Sequence, residues 1–184
     1  MNSGLPSALI IGIDHFAAKN LAQELINKDI RVVGVGEYVA GINEMKNLEW
    51  ASEIEEIKGN FSYVFDFRGD KKDWDKIEAE KFVLLSINDN KRAIYLKNEV
   101  VGWQKDWRII ESRGVYGAGM EEDSFLSKVI RLAVQNKNLE LPSPKKETRL
   151  LAVADLTEAT LRATFLSGTE NENFFILGKK ISFE

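Results

Sequence analysis

Gly12, His15 and Ala18 recur at three-residue intervals where an apolar strand (residues 8–11) gives way to an amphipathic helix carrying Phe16, Leu21, Leu25 and Ile26 on one side. That spacing belongs to a dinucleotide-binding turn, in which three small residues have separate duties. The first makes the turn, the second lets backbone approach a pyrophosphate, and the third lets the helix pack on the strand. Here the architectural slots hold Gly12 and Ala18, whereas the slot that meets phosphate carries an imidazole. At a helix N-terminus, amides and dipole favour an anion, so His15 is a candidate phosphate anchor. The same dipole favours its neutral ring at pH 7, and the plainer reading is a polar residue on an exposed turn. Asp14 reads as the helix N-cap, a carboxylate that would satisfy the amides a pyrophosphate needs and repel the incoming anion. The expectation is a nucleotide site filled by the protein itself.

Strands and helices alternate nearly throughout, as required to hold such a turn in a parallel sheet. A second apolar strand spans residues 30–35, a short one 47–51, and a helical turn runs through Ile54 and Ile57. Tyr63 to Phe67 has strand composition, residues 73–79 read as a short helix capped by Asp70 or Asp73, and residues 82–87 form a continuous apolar run suited to the middle of a sheet. A helix over 92–104, a strand over 107–110 and an amphipathic helix over 121–136 follow. After a polar loop (136–146) come a strand at 149–153, a helix opened in capping-box fashion by Asp155 and Glu158, and a last strand at 173–177. Trp50, Trp74, Trp103 and Trp107 read as rims of the core, with an interaction surface as the alternative. The fold class is α/β, a Rossmann-like parallel sheet with helices on both faces, in one domain spanning residues 1–184.

Bulk properties remove several classes of function. A net charge of −4 with no basic cluster beyond Lys71-Lys72 and Lys145-Lys146 argues against nucleic acid or an anionic membrane as partner. The absence of cysteine excludes thiol chemistry and disulfides, and a single histidine argues against zinc. No apolar run reaches the length of a membrane span and the N-terminus lacks a signal peptide, so the expected location is cytoplasmic.

Three segments together resemble the extended short-chain dehydrogenase/reductase family, the NAD-dependent epimerase/dehydratases of nucleotide sugars. The first is the N-terminal strand–helix–strand unit. The second, Val115-Tyr116-Gly117-Ala118-Gly119, is similar to the family's R-P-x-N-V-Y-G-P-G segment. The third, Leu151-Ala152-Val153-Ala154-Asp155-Leu156, is similar to its H-V-D-D-L, with Phe174-Phe175-Ile176-Leu177-Gly178 behind it resembling F-N-I-G. The resemblance implies a bound NAD or NADP and a catalytic Tyr-x-x-x-Lys pair.

The positions that would do that chemistry are replaced. The ribose-binding acid falls on Gly36, with Glu37 one residue later as its substitute. The Tyr slot falls on Lys91 and the Lys slot on Tyr95 if Glu99 matches the family's acid on that helix, which reverses the pair. A phenol activated by a neighbouring ammonium would then sit at the wrong depth. The family's Arg falls on Glu111 and its substrate-binding Asn on Gly114, while Ser86 matches a serine at its strand end. The intervals 67–82 and 86–107 leave room for only two or three helical turns each. The tail Gly178 to Glu184 resembles the place where the family begins its next helix, and reads as one domain of a longer polypeptide, an N-terminal one, or as an unusually short paralogue.

Positions that pack are kept and positions that react are lost. The leading reading is a non-catalytic pseudoenzyme domain for binding or assembly, with a protein partner or the remainder of a longer chain, and with no cofactor or metal. The alternative is an NAD(P)-dependent epimerase or oxidoreductase, or a nucleotide sensor, with an atypical site. Its candidate catalytic residues are Ser86, Tyr95 and Lys91, and its candidate cofactor residues Gly12, His15, Ala18 and Glu37.

Overall fold

The computed structural model describes residues 5–38, 41–68, 71–87, 98–100, 102, 106–122, 124–138 and 148–181. Seven strands form one wholly parallel sheet: β1 (Ser7–Ile11), β2 (Arg31–Val35), β3 (Leu48–Ala51), β4 (Asn60–Asp66), β5 (Glu78–Ile87), β6 (Trp107–Ser112) and β9 (Glu172–Ile176). Their spatial order is β3-β2-β1-β4-β5-β6-β9. The chain therefore winds outward from β1 in one direction to β3, then restarts at β4 on the other side. Ligands of open parallel sheets bind outside the carboxyl ends of the strands at such a reversal, here between β1 and β4.

Each face of this sheet is apolar, as the uninterrupted apolar runs require. On one face Ala8, Ile10, Val32, Phe65, Val83, Leu85 and Ile110 meet α1 (Phe16–Ile26) and α3 (Val153–Phe165). On the other, Leu9, Ile11, Val33, Val64, Phe82, Leu84 and Ile109 are covered by Ile54, Trp74 and Val100 from short helical segments and by Ile77 just ahead of β5. Among these, residues 98–100 and Gly102 are the described part of the helix expected over 92–104. A separate three-stranded sheet, β7 (Val115–Tyr116), β8 (Thr148–Ala152) and β10 (Lys179–Ile181), closes one end.

Three local expectations are corrected. The stretch 73–79 is not a helix with its own cap but a 3-10 turn, Lys71–Lys76, after which the chain is already β5. The reason is pairing: Asn60 and Phe61 of β4 need Glu78 and Ala79 as partners, which extends β5 backwards. Asp155 does not cap α3. The helix leaves β8 directly at Val153 with no side-chain cap, and Asp155 stands exposed in its first turn, where its charge favours the positive end of the dipole. Thr157, Thr160 and Thr164 donate back to the carbonyls of Val153, Leu156 and Thr160, so α3 buries a hydroxyl ladder without orphan donors. The helix expected over 121–136 is the shorter α2 (Phe125–Val134), capped by Ser124 Oγ accepting from Ser127 N at 3.2 Å.

The tryptophans divide. Trp74 and Trp107 are core residues, Trp50 is 38% exposed, and Trp103 lies outside the described residues. Arg108 is wholly buried: it donates from Nε to Ala163 O at 2.8 Å, pairs with Asp106 and reaches Glu170 Oε1 at 3.6 Å. It ties β6 to the end of α3.

Candidate nucleotide site

Gly12 turns the chain off β1 with φ +81°, and its amide and that of Ile13 both donate to Val35 O, at 2.7 and 3.0 Å. A Cβ at Gly12 would lie 2.9 Å from Arg68 Cγ and 3.3 Å from Phe67 Cβ, so the first glycine slot is required by the residues that follow β4. Asp66, fully buried at the end of β4, holds that segment: its carboxylate accepts from Arg68 N and from Trp74 Nε1, both at 2.7 Å. Ala18, in the third slot, is fully buried under α1, as close helix–sheet packing demands.

The second slot is occupied in an unexpected manner. His15, not Asp14, is the N-cap of α1, and its Nδ1 accepts from Ala17 N at 3.2 Å. An accepting Nδ1 places the ring proton on Nε2. The ring is half-buried rather than exposed, stacked on Phe16 (centroids 4.9 Å apart) and on Phe67 (5.6 Å). Burial pushes its pKa below the ordinary 6.5, against the opposing pull of Asp14 and Glu121. One of the amides that an N-terminal anion would use is thus satisfied by the neutral imidazole itself.

Asp14 does not cap the helix; its carboxylate crosses to the segment after β2, where Oδ1 accepts from Glu37 N at 3.3 Å. A Cβ built on Gly36 would lie 2.1 Å from that oxygen. A side chain at residue 36 would therefore displace Asp14 from this position. Glu37 itself is exposed and engages Asp14 only through its backbone. Beside it, Trp50 Nε1 donates to Gly36 O at 3.2 Å, and Tyr38 meets Trp50 edge-on at 5.7 Å.

Gly12, His15, Ala18 and Glu37 are therefore brought to one end of the sheet. Ser86, next to last in β5, stands at the same carboxyl end of the sheet, two strands across from β1 at roughly 10 Å. It is buried opposite Glu111 of β6, whose Oε1 accepts from Asn173 Nδ2 at 2.6 Å. Lys91 and Tyr95 lie outside the described residues. Phe67, Arg68, Tyr38 and Trp50 were not among the expected site residues. Phe67 and Arg68 stand directly after the β4 run, which was the available signal. His15 and Phe16 also border a cleft of about 320 Å³ with Val115, Met120, Phe125 and Leu150. Among the described residues no group of histidines and carboxylates is arranged to hold a metal, and no helix is long and apolar enough to cross a membrane.

No family model matches the sequence, and no characterised protein resembles it at the sequence level. Solved structures do resemble its fold. UDP-glucuronic acid 4-epimerase from Bacillus cereus, in complex with NAD, superposes with a TM-score of 0.80 over 96% of this chain and 79% of that one, at 14% identity. dTDP-glucose 4,6-dehydratase from Bacillus anthracis, also with NAD, gives 0.72 over 96% and 77%, at 12% identity. Yeast methylglyoxal/isovaleraldehyde reductase, complexed with NADPH, gives 0.70 over the same shares, at 14% identity. The fold is that of the extended short-chain dehydrogenase/reductases. Within that fold, the turn of this chain carries two groups that bear on a dinucleotide. The His15 ring takes up one amide of the helix start, and the Asp14 carboxylate beside it disfavours an anion.

Proposed function

We propose that the chain is a non-catalytic relative of the epimerases and dehydratases whose fold it has, working in the cytoplasm as a binding or assembly domain for a protein partner. The observation that carries this reading is the bond from Ala17 N to His15 Nδ1, by which the turn satisfies itself instead of a pyrophosphate. Hydride transfer needs a dinucleotide held at this turn. A scaffold role needs only the packing positions, and those are the ones retained.

A panel of nucleotide sugars with NAD and NADP supplies the test. The reading expects no epimerisation, dehydration or change in nicotinamide absorbance, and no rise in melting temperature at millimolar cofactor, where even a micromolar site gives a clear shift by mass action. Turnover of any panel member overturns it. In that case Tyr95→Phe decides whether the candidate phenol is used: activity that survives the substitution excludes it.

A further inference from the structure

The domain leaves the apolar stripe of α2 largely uncovered. Only Ser127, Lys128 and Arg131 of its ten residues are polar, yet none of the ten is buried. At 100° per residue, Leu126, Val129, Ile130 and Ala133 fall on one narrow arc, and Lys128 and Arg131 lie on the opposite side. Within the arc Leu126 and Val129 are half-buried, Ala133 is exposed and Ile130 is 47% exposed; Val134, at its margin, is 78% exposed. A contiguous apolar stripe in water marks an interaction surface. The charges at its two ends have opposite signs. The exposed Glu122 precedes the Ser124 cap, and the exposed Lys137 follows the last turn. A partner of uniform charge would be repelled at one end. A second α2 running antiparallel suits both ends, because it sets Glu122 against Lys137 twice and lays each positive helix N-terminus beside a negative C-terminus.

From this pattern we infer that α2 is the seam of a homodimer, packed antiparallel on α2 of a second copy about a two-fold axis that passes between Val129 and Ile130. Such a contact is self-complementary, so each pairing occurs twice. Val129 meets the partner's Ile130, Leu126 meets the partner's Ala133, large against small, and Glu122 faces the partner's Lys137. Lys128 and Arg131 stay in solvent on the far side, so the pairing brings no like charges together at the seam. A helix of ten residues is about 15 Å long, which makes a small interface and hence a reversible dimer. The inference rests on the assembly role proposed above and names its partner as a second copy of this chain.

Sedimentation velocity on the full chain, from micromolar to near-millimolar protein, tests the inference. The wild type shifts from monomer to dimer as concentration rises. Ile130→Glu, at an exposed position beside the axis, sets two like charges against each other in the dimer and weakens it about a hundredfold or more, while the monomer keeps its melting temperature. Glu122→Lys weakens the dimer about three- to tenfold, and adding Lys137→Glu restores the wild-type affinity, because the swap rebuilds both end pairs. A chain that stays monomeric at every concentration overturns the inference and leaves the stripe to a different protein or to another part of a longer chain. That result leaves the non-catalytic reading standing, since turnover on the nucleotide-sugar panel is what overturns it. A dimer indifferent to Ile130→Glu overturns the assignment to α2. Failure of the charge swap to restore affinity overturns the antiparallel pairing.

Discussion

An imidazole can cap a helix only while its accepting nitrogen is bare. His15 is held below its usual 6.5 chiefly by burial, so as pH falls through 6.5 the unfolded chain takes up this proton before the folded chain does. Stability contributed by the neutral cap is therefore complete above 6.5 and lost progressively below it. Thermal melts between about pH 7.5 and about pH 5.5 should show a falling melting temperature in the wild type. His15→Asn keeps a capping acceptor but does not titrate in this range, and should flatten the slope. An unchanged slope in that variant would show that another group titrates. That an imidazole stands at the phosphate slot was legible from spacing alone, since His15 sits where a small residue belongs. The identity of the cap was not. Short acids lead N-cap preferences, which pointed to Asp14; what moves Asp14 away is a vacancy 22 positions later at Gly36, and no local rule carries that contact.

Elements were legible where one strong periodicity ran without competition. The apolar runs of β1, β2 and β5 and the Phe16-to-Ile26 helix fall where pattern places them, because both sheet faces are covered. The segment 73–79 misled because the pairing demand of β4 outweighed helical composition. Two predictions belong at this scale. Arg108→Met removes the bond to Ala163 O and the pairs with Asp106 and Glu170, unpinning the end of α3. Chemical denaturation should register a loss of about 2–4 kcal/mol; a neutral result would mean that the guanidinium only breaks even against its desolvation. At Gly117 a Cβ would meet Val153 Cγ1 at 2.3 Å and Cβ at 2.9 Å, where β7 leads past the start of α3. Gly117→Ala should cost about 1–3 kcal/mol, and adding Val153→Ala should recover part of it as a measurable coupling. Strictly additive losses would place the strain elsewhere.

At the scale of the molecule, the chain keeps a fold shared with NAD- and NADPH-bound enzymes at 12–14% identity while altering the end of the sheet where those folds hold their ligand. Fold is a property of buried positions spread over the whole chain, so it survives low identity; the site depends on a few side chains at strand ends. That division explains why three weak motifs in order sufficed to place the architecture. It also explains why the nucleotide turn required coordinates, since its state depends on where the side chains of Asp14, His15, Phe67 and Arg68 lie relative to one another. The direct test is calorimetric titration of NAD into the wild type and into His15→Gly, which removes the capping ring and restores a small residue at the slot. The wild type should give no binding at millimolar NAD, and the variant should gain measurable affinity. Binding of NAD by the wild type, or equal affinity in both proteins, would contradict the claim that His15 closes the site.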